Sequence, residues 1–134
     1  VTFRPVYLDT SALAKLVFPE PETPALSAWL AAWPDRVASS LAAVELGRLL
    51  SRSRASTSVR RRATVVLSAV ALLKLDEPVL EIAAGLRDPL LRTLDAIHLA
   101  AALSLGDTPE AFVTYDDRLA RAAARVKLTV VRPS

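Results

Sequence analysis

The chain predicts an α/β fold: a parallel sheet with right-handed crossovers and helices on both faces. Three observations carry this. Short apolar runs of strand length alternate with segments of helical apolar spacing. Hydrophobic residues make up 52% of 134 positions and charged ones 23%, enough to build one core. There are only 3 glycines, among abundant Ala and Leu, which argues against a turn-rich sandwich.

The elements follow in order. "PVYLD", residues 5–9, reads as a short buried strand. Leu13, Leu16 and Val17 then take helical spacing, and "PEPETP" (19–24) breaks it. Leu26, Trp29, Leu30 and Trp33 fall at i, i+3, i+4 and i+7, so both tryptophans read as packing residues on one helix face. "RVASS" (36–40) is a strand leading to a serine cap, and 41–53 a helix. A second long helix is predicted from about Val59 to Leu73, with 74–78 a strand end or loop. Val79, Ile82, Ala83 and Leu86 mark the next helix, and Asp88-Pro89 ends it. Thr93 fits an N-cap, and 94–105 is an almost wholly apolar helix. "GDTPE" (106–110) is a turn, "AFVTY" (111–115) a strand, 118–125 a helix and "KLTVV" (127–131) the last strand. No linker or repeat interrupts the series, so one domain is expected over 1–134.

Composition removes several chemistries. With no cysteine, neither disulfides nor thiolate metal sites form. A single histidine, His98, rules out a multi-histidine zinc site. The absence of a long apolar run or a signal pattern leads us to expect a cytoplasmic protein.

Four carboxylates stand in informative places. Asp9 ends the first strand and Asp116 follows "AFVTY", where an open α/β sheet presents ligands. Each alone also fits a helix N-cap. Glu45, in "SSLAAVELGRLL", has Leu41 and Leu49 one turn away. Asp95, in "LRTLDAIHLAAAL", has Leu91 and Leu99. An unpaired carboxylate on such a face costs several kcal/mol, of order 1–3 or more, or neutralises. The structural alternatives are a salt bridge from Glu45 to Arg48 or Arg52, and a helix-dipole interaction for Asp95. If the four acids converge, their repulsion calls for a cation. All-oxygen donors favour Mg²⁺ or Mn²⁺, whose chemistry suits phosphodiester hydrolysis.

The charge balance agrees. Outside these four acids, ten acids face 17 bases, leaving about +7. Arg48, Arg52, Arg54, Arg60, Arg61 and Arg62 lie in a stretch without acids, suited to an RNA backbone or a partner, or simply a solvated helix face.

"YLDTSALAKL", "SSLAAVELGRLL", "LRTLDAIHLAAAL" and "FVTYDDRLARAA" together resemble, in order and spacing, the motifs of PIN-domain ribonucleases, specifically VapC-type toxins of toxin–antitoxin pairs. The resemblance spans nearly the whole chain. It implies a three-layer α/β/α PIN-like fold with a small, mostly parallel sheet. It also implies a Mg²⁺- or Mn²⁺-dependent endoribonuclease with Asp9, Glu45, Asp95 and Asp116 as catalytic, metal-binding acids. Ser11 and Thr114 match supporting hydroxyl positions. A homodimer and a small cognate antitoxin over the groove are implied as well. Where the family pattern has one aspartate, this chain has Asp116-Asp117. Asp116 is expected in the site, and Asp117 as the cap of the following helix. His98, common in the motif, reads as a satisfied core residue rather than a general base. A housekeeping RNA-processing PIN nuclease, or a non-catalytic RNA-binding or interaction module, stays open as an alternative.

Overall fold

The computed structural model describes residues 4–106 and 109–134. The described elements are β1 (Val6–Leu8), α1 (Thr10–Val17), α2 (Thr23–Leu30), β2 (Arg36–Ser39), α3 (Ser40–Arg52) and α4 (Thr57–Ser68). They continue with β3 (Ala71–Leu73), α5 (Glu77–Gly85), α6 (Thr93–Leu103), β4 (Ala111–Val113), α7 (Asp117–Arg125) and β5 (Val130–Val131). The strands form one sheet in the order β3-β2-β1-β4-β5, with every described pairing parallel.

The alternation of side chains along the strands builds two cores. Tyr7, Val37 and Phe112 face one side and pack against residues of α5, α6 and α7. Val6, Leu8, Ala38, Ala111 and Val113 face the other, against α1, α2 and α3. This is the predicted three-layer arrangement. Tyr7 and Phe112 stack across the β1–β4 pair with ring centroids 5.1 Å apart. Full burial of such rings is worth about 1.5–3 kcal/mol each. The α2 tryptophans behave as predicted: Trp29 and Trp33 pack on each other and on the second core, although Trp33 lies just past the helix end.

The strand order sets the location of the site. From β1 the chain moves outward through β2 to β3, then returns to the other side of β1 as β4. The connections diverge between β1 and β4, and a crevice opens there at the carboxyl ends of the strands. Asp9 follows β1 directly, and its backbone N–H extends the ladder to the Val113 carbonyl at 3.2 Å.

Several local expectations change. The helix predicted to run to Leu73 stops at Ser68, and Ala71–Leu73 forms the edge strand β3. The apolar run 69–73 satisfies either period, and pairing with β2 decides it. Thr93 is the first helical residue of α6, with Arg92 at the N-cap and no capping side chain. Ser39 likewise caps α3 without a side-chain hydrogen bond. The predicted turn at 106–110 includes Asp107 and Thr108, which lie outside the described residues. Among the described residues, no helix is long and apolar enough to cross a membrane.

Candidate active site

Asp9 is the most buried of the four acids, at 2% exposure. It is the N-cap of α1: Oδ1 accepts from the Ala12 backbone N–H at 2.9 Å and from Ser11 Oγ at 2.7 Å. Oδ2 accepts from Thr114 Oγ1 at 2.5 Å. Burial pushes the Asp9 carboxyl above the ordinary range, and the bonds from Thr114, Ser11 and Ala12 only partly offset this. Capping and site membership are therefore compatible. The two supporting hydroxyls are fixed in turn: the Tyr115 N–H donates to Ser11 Oγ at 2.8 Å, and the Asp116 N–H to Thr114 Oγ1 at 3.1 Å. This lattice ties the end of β1 to the segment after β4.

Glu45 projects from α3 toward α6 and forms no ion pair with Arg48 or Arg52. Its Oε1 accepts from His98 Nε2 at 2.7 Å and from Thr10 Oγ1 at 2.7 Å. Burial pushes the Glu45 carboxyl up, but the His98 and Thr10 bonds outweigh it and hold the group below its ordinary value. His98 is 3% exposed, and its Nδ1 lies 2.9 Å from the Tyr7 hydroxyl. A carboxylate only accepts, so Nε2 carries the proton toward Glu45. In the neutral ring, Nδ1 then accepts from Tyr7, whose hydroxyl burial holds well above the usual tyrosine range. The result is a chain from Tyr7 through His98 to Glu45, with Thr10 closing it. His98 is thus a satisfied, buried residue that fixes a site carboxylate. Thr10 escaped the sequence reading: it pairs with a residue 35 positions away, and only its place beside Asp9 hinted at it.

Asp95 sits in the first turn of α6, partly buried. Burial, then the negative charge of Asp116, raises its carboxyl above the ordinary range; His98, Arg92 and Arg118 pull the other way. Asp116 is exposed and is itself the N-cap of α7, accepting from the Leu119 N–H at 3.0 Å. This corrects the expected division of labour. Asp117 does not cap; it is the first residue of α7, and its Oδ1 pairs with Arg132 Nη1 at 2.5 Å. The strand ends at Val113, so side-chain alternation no longer governs positions 114–117.

Glu45, Asp95, Asp116 and Asp117 line one cavity of about 560 Å³ together with Arg92, Arg118 and Arg121. Asp9 lies behind it, linked through Thr114 to Asp116. Among the described residues, no three acidic or imidazole groups enclose an ion as they stand. The donor set nevertheless fits a hard divalent cation: all-oxygen carboxylates from four segments, with Asp116 acting on Asp95 by like charge.

The six arginines of the 48–62 stretch do not line this cavity. Arg48 and Arg52 lie on α3, Arg54 follows it, and Arg60, Arg61 and Arg62 lie on α4. Two of them serve helix ends. Arg60 donates to the Ala55 and Leu50 carbonyls at 3.2 and 3.4 Å, and Arg62 to the Val17 carbonyl at 3.2 Å.

Comparison with known proteins gives the family of the chain. The family model described as PIN domain matches residues 6–125. Ribonuclease VapC46 of Mycobacterium tuberculosis (strain ATCC 25618 / H37Rv) is 44% identical over 130 residues, covering 96% of this chain and 98% of the relative. Ribonuclease VapC47 of M. tuberculosis (strain CDC 1551 / Oshkosh) is 41% identical over 132 residues, covering 96% of each. Among solved structures, a toxin–antitoxin complex from Klebsiella pneumoniae contains a chain that superposes with a TM-score of 0.72 at 21% identity, covering 96% of this chain and 98% of that one. The four-motif order, the five-stranded parallel sheet and these full-length likenesses converge: the chain belongs to the PIN-domain family, among the VapC-type ribonucleases.

Proposed function

We propose that this protein is a divalent-metal-dependent endoribonuclease that hydrolyses RNA phosphodiester bonds and acts as the toxin of a toxin–antitoxin pair. The observation that supports it most is the gathering of Glu45, Asp95 and Asp116 around one crevice, with Asp9 tied in behind through Thr114. Asp9, Glu45, Asp95 and Asp116 are the residues that would hold Mg²⁺ or Mn²⁺. Such an ion, when bound, supplies a Lewis acid for the scissile phosphate and lowers the proton affinity of water.

The chain's own residues contribute positioning. Ser11 and Thr114 fix both oxygens of Asp9, so its carboxylate needs no reorganisation during a turnover. His98 and Thr10 hold Glu45 in its ionised form. The negative charge of Asp116 raises the Asp95 carboxyl, a repulsion that a bound cation would relieve. None of these roles asks a histidine or lysine to take a proton from water. The names of the similar proteins support the RNA substrate, and the K. pneumoniae complex supports a small antitoxin partner. We also propose that the chain forms a homodimer.

Purified protein incubated with total RNA in Mg²⁺ tests this. Mapped 5′ ends should carry phosphate and appear only while the metal is present. Undiminished cleavage in excess EDTA would overturn the reading.

A further inference from the structure

The cavity beside the carboxylates is lined by both signs of charge. Its carboxylates are legible in the sequence, whereas its arginines come from outside the conspicuous arginine run. Arg118 and Arg121 stand one turn apart on α7, and Arg92 stands at the start of α6. α7 buries Leu119, Ala122 and Ala123 and leaves Arg118 and Arg121 on its exposed face.

Neighbouring arginines are already occupied. Arg125 pairs with Asp88 at 2.5 Å, and Arg132 with Asp117 at 2.5 Å. Arg92, Arg118 and Arg121 make no hydrogen bond or ion pair among the described residues, although all three border a cavity lined by carboxylates. Arg92 and Arg118 act on Asp95 only through space. Guanidinium groups left free beside an acidic centre match a ligand that brings its own negative charge.

We infer that Arg92, Arg118 and Arg121 form a phosphate-binding subsite that seats the RNA backbone next to the carboxylates, with Arg118 and Arg121 as its core. This rests on the nuclease reading and deepens it by naming the surface the substrate uses. It moves the backbone track from the 48–62 stretch to the α6–α7 side. A single strand threads such a track by charge, without base readout.

Salt dependence of binding tests it. A fluorescein-labelled single-stranded RNA oligonucleotide is titrated by anisotropy in EDTA from 50 to 200 mM KCl. Each phosphate contact on a single strand contributes a slope of roughly 0.7 in log K against log salt. The double variant Arg118→Ala/Arg121→Ala should lose a slope of about 1.4, so that over this fourfold salt range its affinity falls about sevenfold less than that of the wild type. Arg118→Lys/Arg121→Lys should restore the slope, because counterion release counts charge. Both pairs are exposed, and circular dichroism of each variant checks that it folds. An unchanged slope in the alanine pair, a slope lost instead in Arg48→Ala/Arg52→Ala, or no RNA binding by the wild type would overturn the subsite. Cleavage in Mg²⁺, measured on the same samples, separates the two readings. A cutting enzyme with an unchanged slope sinks only the subsite, and a slope change without cleavage sinks only the nuclease.

Discussion

Replacing Asp9 separates its charge from its hydrogen bonds. At neutral pH and without metal, the ionised carboxylate is a net burden, because burial raises its proton affinity above that of the unfolded chain. Its acceptor atoms, however, satisfy the Ala12 N–H and the Ser11 and Thr114 hydroxyls. Asp9→Asn keeps Oδ1 for Ala12 and Ser11, and its amide donates to Thr114 Oγ1. Asp9→Ala removes all three bonds. The lost cap costs about 1 kcal/mol. Leaving the buried Thr114 hydroxyl without its partner adds about 1–3 kcal/mol. The alanine variant should therefore be about 2–4 kcal/mol less stable than the asparagine variant, or roughly 8–16 °C in Tm for a domain of this size. The pH dependence has a definite sign. A carboxyl whose folded pKa is raised contributes most stability below its unfolded value, and loses it as pH rises through the folded value. The advantage of Asp9→Asn over wild type should therefore shrink as pH falls from 7.5 toward the ordinary aspartate value of 3.8. Thermal melts of the three proteins in EDTA, followed by circular dichroism at several pH values, measure this. Equal destabilisation by Asn and Ala, or an Asn-to-wild-type difference that ignores pH, would refute the reasoning.

Other substitutions probe the chain beneath Glu45. Tyr7→Phe strips the partner from buried His98 Nδ1 and should cost about 1–3 kcal/mol, read as a Tm fall of roughly 4–12 °C. Thr10→Val removes one of the two bonds to Glu45 while preserving shape; cleavage should slow by about tenfold with less than about 1 kcal/mol lost in a denaturant melt. Leu99→Ala opens a cavity under α6 and should cost about 2–5 kcal/mol in urea unfolding, with activity per folded molecule retained.

The sequence revealed much of this architecture because strand and helix periods alternate cleanly, and because Asp9, Glu45 and Asp95 interrupt apolar surroundings. A carboxylate on such a face has few stable explanations. What escaped it depended on contacts between distant segments. Residues 69–73 are apolar without alternation, so the sequence alone extends the helix through β3, and only the β2 edge chooses between the two. The hydroxyl of Thr10 is ordinary until Glu45 arrives from α3. Asp116 rather than Asp117 caps α7 because the strand ends three residues earlier than Asp116, so a period of two no longer applies there. Arg118 and Arg121 stand apart from the louder cluster of six, and only folding brings them to the cavity they share with Asp95 and Asp116.

Four carboxylates acting as one centre are the core of the proposed activity. Its most direct test is the initial rate of RNA cleavage in Mg²⁺ for Asp9→Asn, Glu45→Gln, Asp95→Asn and Asp116→Asn, compared with Asp117→Asn. Each of the first four should fall by at least about 100-fold while still folding, as expected when one electrostatic element is removed from a preorganised site. Asp117→Asn should stay near the wild-type rate, since its carboxylate is engaged by Arg132. Near-wild-type cleavage by Asp9→Asn or Asp95→Asn would contradict the account.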